Sequence, residues 1–89
     1  MRVYMRIRGR VQGVGYRFFV NESAKLNSVT GWVRNMPDGD VEGEAQGETK
    51  TIENFLRRLE TGHIPARVDK ITSEKIPDRA DDRGFEIRF

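Results

Sequence analysis

Apolar and polar residues alternate over the first eight positions, with Val3, Met5 and Ile7 set against Arg2, Tyr4, Arg6 and Arg8. A period of two predicts a strand with one buried face, ending at Gly9. After a glycine-rich run the period lengthens. Phe19, Val20, Ser23, Ala24 and Leu26 recur on one side of a helix from Phe18 to Leu26, with Asn27-Ser28 as its stop. In the next segment Gly31, Val33 and Asn35 share one parity while Thr30, Trp32, Arg34 and Met36 share the other, and Pro37-Asp38-Gly39 supplies a tight hairpin turn. Val41, Gly43 and Ala45 then alternate with Glu42, Glu44 and Gln46, giving a third strand with a thin apolar face and an acidic one. Arg6 and Arg8 are expected to meet those glutamates across the sheet. Ile52, Phe55, Leu56 and Leu59 have the i, i+3, i+4, i+7 spacing of a core-facing helix, capped near Thr49 and stopped by Gly62 and Pro65. Val68 to Ile76 is mixed in parity, which predicts a bulged or edge strand. Phe85, Ile87 and Phe89 form a last strand.

The element order β-α-β-β-α-β, with one irregular extra strand, predicts an α+β ferredoxin-like two-layer sandwich with an antiparallel sheet and both helices on one face. Trp32 and Tyr4 are expected to cover its open face. A chain of 89 residues has room for one core, so a single domain over residues 1–89 is expected.

Composition narrows the chemistry. Zero cysteines exclude a disulfide scaffold, a zinc ribbon, an iron–sulfur site and a thiol nucleophile. A single histidine, His63, argues against a His-cluster metal site and reads as a loop residue. The net charge of +2 gives no polybasic stripe and so no implied nucleic-acid partner. Twelve of the sixteen basic residues are arginines, the side chain best suited to forked contacts with oxyanions. No apolar window approaches the ~20 residues of a membrane span, and the charged start, Met1 to Arg6, lacks a signal peptide's apolar stretch. A cytoplasmic monomer with no membrane partner is the expectation. Asp38, Asp40, Glu42 and Glu44 lack a calcium-loop pattern and read as a solvated surface.

The candidate chemistry begins where the first strand meets the first helix, at Gly9 to Arg17. Glycines between a strand and a helix let successive backbone N–H groups converge on one point, with the positive end of the helix dipole behind them. The spacing matches neither a dinucleotide fingerprint, because Phe18 stands at the third glycine position, nor a Walker A loop. An anion cradle and an ordinary connection are equally good readings of the glycines alone. Arg17, in the first helical turn, favours the cradle because its guanidinium can make a bidentate contact with phosphate or carboxylate. Asn35 has two readings as well. On residue type it serves the 36–39 turn; alternatively, its amide orients a water beside the anion.

Gly9-Arg10-Val11-Gln12-Gly13-Val14-Gly15-Tyr16-Arg17 resembles the first signature of the acylphosphatases, and Gly31-Trp32-Val33-Arg34-Asn35 with Asp38-Gly39 resembles the second. The likeness runs over the whole chain. It implies hydrolysis of the carboxyl–phosphate anhydride bond of small acyl phosphates without a metal or organic cofactor, and inorganic phosphate or sulfate as product or inhibitor. It also implies that Arg17 binds the phosphate, that the amides of Gln12, Gly13, Val14, Gly15 and Tyr16 form its loop, and that Asn35 orients the attacking water. One departure from the family pattern is Asn27-Ser28-Val29 at the first helix exit, where Asn27 is expected to take a left-handed cap. The competing readings are a non-catalytic anion-binding module, including a relative of the similar domain of hydrogenase-maturation carbamoyltransferases, and an RNA-binding domain of the same element order. The RNA reading is disfavoured because Val41 to Gln46 carries no aromatic residue for base stacking.

Overall fold

In a computed structural model covering residues 1–89, the alternating and helical patterns become seven elements: β1 (Arg2–Arg10), α1 (Tyr16–Leu26), β2 (Thr30–Asn35), β3 (Val41–Gln46), α2 (Thr49–Thr61), β4 (Arg67–Ile76) and β5 (Phe85–Arg88). Alternation sends Val3, Met5 and Ile7 of β1, Val33 of β2, and Val41 and Ala45 of β3 into one core. The helices close over that face with Val20 and Ala24 of α1 and Ile52, Phe55 and Leu59 of α2. Each of the large apolar side chains contributes about 1.5–3 kcal/mol by leaving water. Both helices on one side of a sheet make the ferredoxin-like α+β sandwich that the element order predicts.

The sheet order is β4-β1-β3-β2-β5. The pairs β1–β3, β1–β4 and β2–β3 are antiparallel, but β2 and β5 run parallel. The expectation of an antiparallel sheet is therefore corrected to a mixed one, and the reason lies in the segment between β4 and β5. β4 ends with Ile76 beside Arg2, at the start of β1. The chain then crosses that end of the sheet. Gln46 holds Arg79 through both its backbone groups (2.8 and 3.0 Å), Arg2 pairs with Asp82, and the Gly31 N–H reaches the Gly84 carbonyl at 3.0 Å. β5 consequently starts beside the start of β2 and has to run with it. The ten-residue β4 is the bulged edge strand that its mixed parity predicts, its register with β1 shifting where Arg8 faces Lys70 and Gly9 faces Val68, while the short β5 at the other edge is the extra strand.

Several side chains depart from the sequence pattern. Leu26 is exposed, and the buried stripe of α1 runs instead through Tyr16, Val20, Ser23 and Ala24. The left-handed residue after α1 is Ser28 (φ 56°), while Asn27 stays right-handed and its side-chain amide donates to the Ser23 carbonyl at 2.7 Å. Gly62 ends α2 with ordinary right-handed angles. A Cβ there would come within 2.7 Å of the Phe19 ring, so its use is to let α1 and α2 approach.

On the open face the acidic side chains are held by arginines. Glu42 accepts from the Tyr4 hydroxyl and Arg34 (both 2.6 Å) and Glu44 from Arg2 (2.9 Å). Arg6 binds Asp40 at 2.8 Å and Asp38 at 2.5 Å, and Arg8 sits 3.6 Å from Asp40. Arg6 and Arg8 therefore choose the hairpin aspartates over Glu42 and Glu44, because Arg34 and Tyr4 already occupy Glu42. Asp40 and Glu42 are buried, so the solvated acidic surface expected here is a layer of ion pairs. Trp32 lies beneath the guanidinium groups of Arg34 and Arg88, 5.5 and 4.6 Å from the ring centre.

Candidate active site

The segment between β1 and α1 carries glycines at two positions where the backbone requires them. Gly13 and Gly15 have φ of 74° and 76°, and Gly15 is the N-cap of α1. A non-glycine residue at either would be strained. This path leaves a row of backbone donors unused, since none of the N–H groups from Gln12 to Tyr16 meets a protein acceptor. The first turn of α1 has neither a side-chain cap nor an acidic residue. The positive end of its dipole is thus uncompensated, which favours a negatively charged ligand.

A pocket of about 250 Å³ opens in front of these amides. Gly13, Gly15 and Tyr16 line it from the loop, Arg17 and Asn35 supply its polar side chains, and Val11, Phe18, Ile87 and Phe89 its apolar walls. It is smaller than the ~300–1,000 Å³ typical for drug-sized ligands and suits a small anion. Arg17 is half-buried and enters none of the chain's ion pairs. Its Nη1 donates to the Arg88 carbonyl at 3.0 Å and its guanidinium lies 4.9 Å from the Phe89 ring centre. β5 therefore holds the side chain and leaves its charge unneutralised.

Asn35, at the end of β2, has a buried Oδ1 with no hydrogen-bond partner in the protein. The neighbouring turn does not depend on its side chain. Gln12 Nε2 donates to the carbonyls of Met36 and Asp40, each at 2.8 Å, and the Asp40 N–H donates to Asp38 Oδ1 at 3.0 Å. The turn-serving role expected from residue type is filled by Gln12 and Asp38 instead.

The structure thus brings Gly13, Gly15, Tyr16, Arg17 and Asn35 to one pocket. Gln12 and Val14 stand behind it: Gln12 ties the loop to the β2–β3 hairpin, and the Val14 side chain packs against the core. Tyr16 anchors the helix end of the loop. Its hydroxyl donates to the Leu59 carbonyl at 2.8 Å, in the last turn of α2 where carbonyls lack helical partners. Burial, and secondarily the charge of Glu60, push the Tyr16 phenol up, so it remains a donor. Sequence reading missed the apolar walls. Phe18 adjoins Arg17 and was within reach of local reasoning, whereas Phe89 and Ile87 reach the pocket only because β5 pairs with β2.

Comparison with known proteins places the whole chain in one family and fold. The acylphosphatase family model matches residues 3–87. The chain is 42% identical to an acylphosphatase of Geobacillus thermodenitrificans over 88 residues, covering 99% of this chain and 94% of the relative. It is 44% identical to one from Salinibacter ruber, covering 98% and 92%. The crystal structure of the Bacillus subtilis acylphosphatase superposes with a TM-score of 0.94 at 31% identity, covering 99% of this chain and 98% of that one.

Proposed function

The chain belongs to the acylphosphatase family, and from that premise we propose how its own residues hydrolyse the carboxyl–phosphate anhydride of a small acyl phosphate. The phosphoryl group sits on the loop amides of Gln12 to Tyr16, at the positive end of α1. Arg17 grips two of its oxygens. Phosphoryl transfer asks little covalent chemistry of a protein, and most of the acceleration comes from positioning and from neutralising charge on those oxygens. Arg17 has no competing carboxylate, which leaves its whole charge for that task.

Asn35 orients the nucleophile: its Oδ1 accepts a hydrogen from a water, whose oxygen attacks phosphorus in line with the departing acyl oxygen. The bond from water oxygen to phosphorus forms as the bond from phosphorus to acyl oxygen breaks. The leaving group is a carboxylate whose acid has a pKa of roughly 4, so it departs without being protonated, and the water's proton leaves with the phosphate. No general acid is needed, which accounts for a site built without a histidine or carboxylate. The observation that carries this reading is the buried, unpartnered Asn35 Oδ1 in the same pocket as Arg17.

The reaction needs no metal, and its product, inorganic phosphate, is expected to bind the same cradle, as is sulfate; the enzyme acts as a cytoplasmic monomer. Neither the RNA-binding nor the non-catalytic reading is favoured, since Glu42 and Glu44 on β3 are committed to Arg34 and Arg2 and the family is enzymatic. The test is release of phosphate from acetyl phosphate and benzoyl phosphate with EDTA present. Sustained turnover is expected. No release, or release that EDTA abolishes, would overturn the proposal.

A further inference from the structure

His63 lies in the α2–β4 connection, 49 positions along the chain from Val14, yet its Nε2 is 2.7 Å from the Val14 carbonyl. A carbonyl only accepts, so this nitrogen carries the proton and donates. The ring is held from other sides too. It stacks on Phe19 at 5.1 Å and 23°, presents an edge to Tyr16 at 6.2 Å, and belongs to a turn closed by the Ala66 N–H to the His63 carbonyl at 3.1 Å.

The consequence for the loop follows from peptide geometry. The Val14 carbonyl and the Gly15 N–H belong to one planar trans peptide and point in opposite directions. Gly15 lines the pocket and His63 does not. A carbonyl drawn toward His63 therefore turns the Gly15 N–H toward the pocket. Glycine at this position has little resistance of its own to a flip of that peptide. We propose that His63 is a positioning residue for phosphate binding: by holding the Val14 carbonyl it locks the Val14–Gly15 peptide in the orientation that aims the Gly15 amide at the substrate phosphoryl group. The inference rests on the loop being the phosphate cradle, as proposed above.

His63→Phe keeps an aromatic ring to stack on Phe19 but removes the donor. His63→Gln loses the stack but carries an amide nitrogen as many bonds from Cβ as Nε2. Both are assayed beside wild type for hydrolysis of acetyl phosphate, inhibition by inorganic phosphate, and melting temperature. Loss of one ordered hydrogen bond to the ligand is expected to raise KM and the phosphate Ki of the Phe variant by roughly 3- to 10-fold, with kcat little changed. The Gln variant is expected to recover wild-type Ki while melting lower. A Phe variant with wild-type Ki, or a Gln variant no better than it, overturns the role of His63 while wild-type turnover leaves the cradle standing. Wild-type protein insensitive to phosphate overturns the cradle and this inference together.

Discussion

Asn35→Ala should separate catalysis from stability in opposite directions. The substitution removes an amide, with no apolar side-chain area beyond Cβ, and its buried oxygen bonds to no protein group. Gln12 and Asp38 continue to hold the adjoining turn. A buried acceptor left unpaired costs about 1–3 kcal/mol, and access of water to a half-buried side chain reduces that figure. The variant is therefore expected to gain between zero and about 1 kcal/mol, a rise in Tm of at most ~4–8 °C for a chain of this size. Turnover should fall. Loss of one positioned polar contact at a reacting centre typically costs about 10²–10³ in kcat, or about 2.7–4 kcal/mol of barrier. Phosphate affinity should survive, because Arg17 and the loop amides are untouched; phosphate at a hundred times its Kd should stabilise variant and wild type alike by about 2.7 kcal/mol. Initial rates on acetyl phosphate, with melting curves with and without phosphate, give all three readings. A variant that melts ~4 °C or more below wild type while keeping its kcat would refute the reasoning and return Asn35 to a structural role.

Arg17→Ala should abolish turnover and the phosphate-induced rise in Tm, with little change in the melting of the free protein, because its contacts are one carbonyl and one exposed ring. Arg17→Lys should fail nearly as badly, since a point charge cannot reproduce a forked contact, and a Lys variant retaining most of the rate would disprove bidentate binding. Acid lability should trace to the open face. Burial alone would raise the Glu42 carboxyl, but the Tyr4 hydroxyl and the Arg34 guanidinium outweigh it and hold the group below its ordinary value of 4.5. The Asp40 amide, and after it Arg6, hold Asp38 below 3.8. Because both folded-state values lie below the unfolded ones, their stabilisation is complete above about pH 4.5–5 and is lost as pH falls through the folded values. Glu42→Gln should melt lower at pH 7 and lose less on acidification to pH 3; parallel Tm-against-pH curves would show that Glu42 is not the group responsible.

What residue order alone determined lies within short windows. The period-two run of Val3, Met5 and Ile7 and the spacing of Ile52, Phe55 and Leu59 specify which face of each element seeks the core, because side-chain direction follows backbone geometry within a few residues. The glycines of the first loop and Arg17 mark a candidate anion site for the same reason: φ restrictions and the helix terminus are local. Tertiary structure decided everything that depends on meeting across the chain. Asn35 reads as a turn residue until the fold brings Gln12 to the Met36 and Asp40 carbonyls and releases it from that duty. The arginines and carboxylates of the open face have several partners in reach by charge; register sets both Arg6 and Arg34 opposite Glu42, and only side-chain packing gives Glu42 to Arg34 and Tyr4 and turns Arg6 to Asp40. The parallel placement of β5, which carries Ile87 and Phe89 to the pocket, follows from a crossing held by Gln46, Arg2 and Gly31. His63 meets Val14 only through the packing of α2 against α1, where Gly62 allows the approach. Periodicity carries no information about such pairs, since it records which way a side chain points and never what stands opposite it.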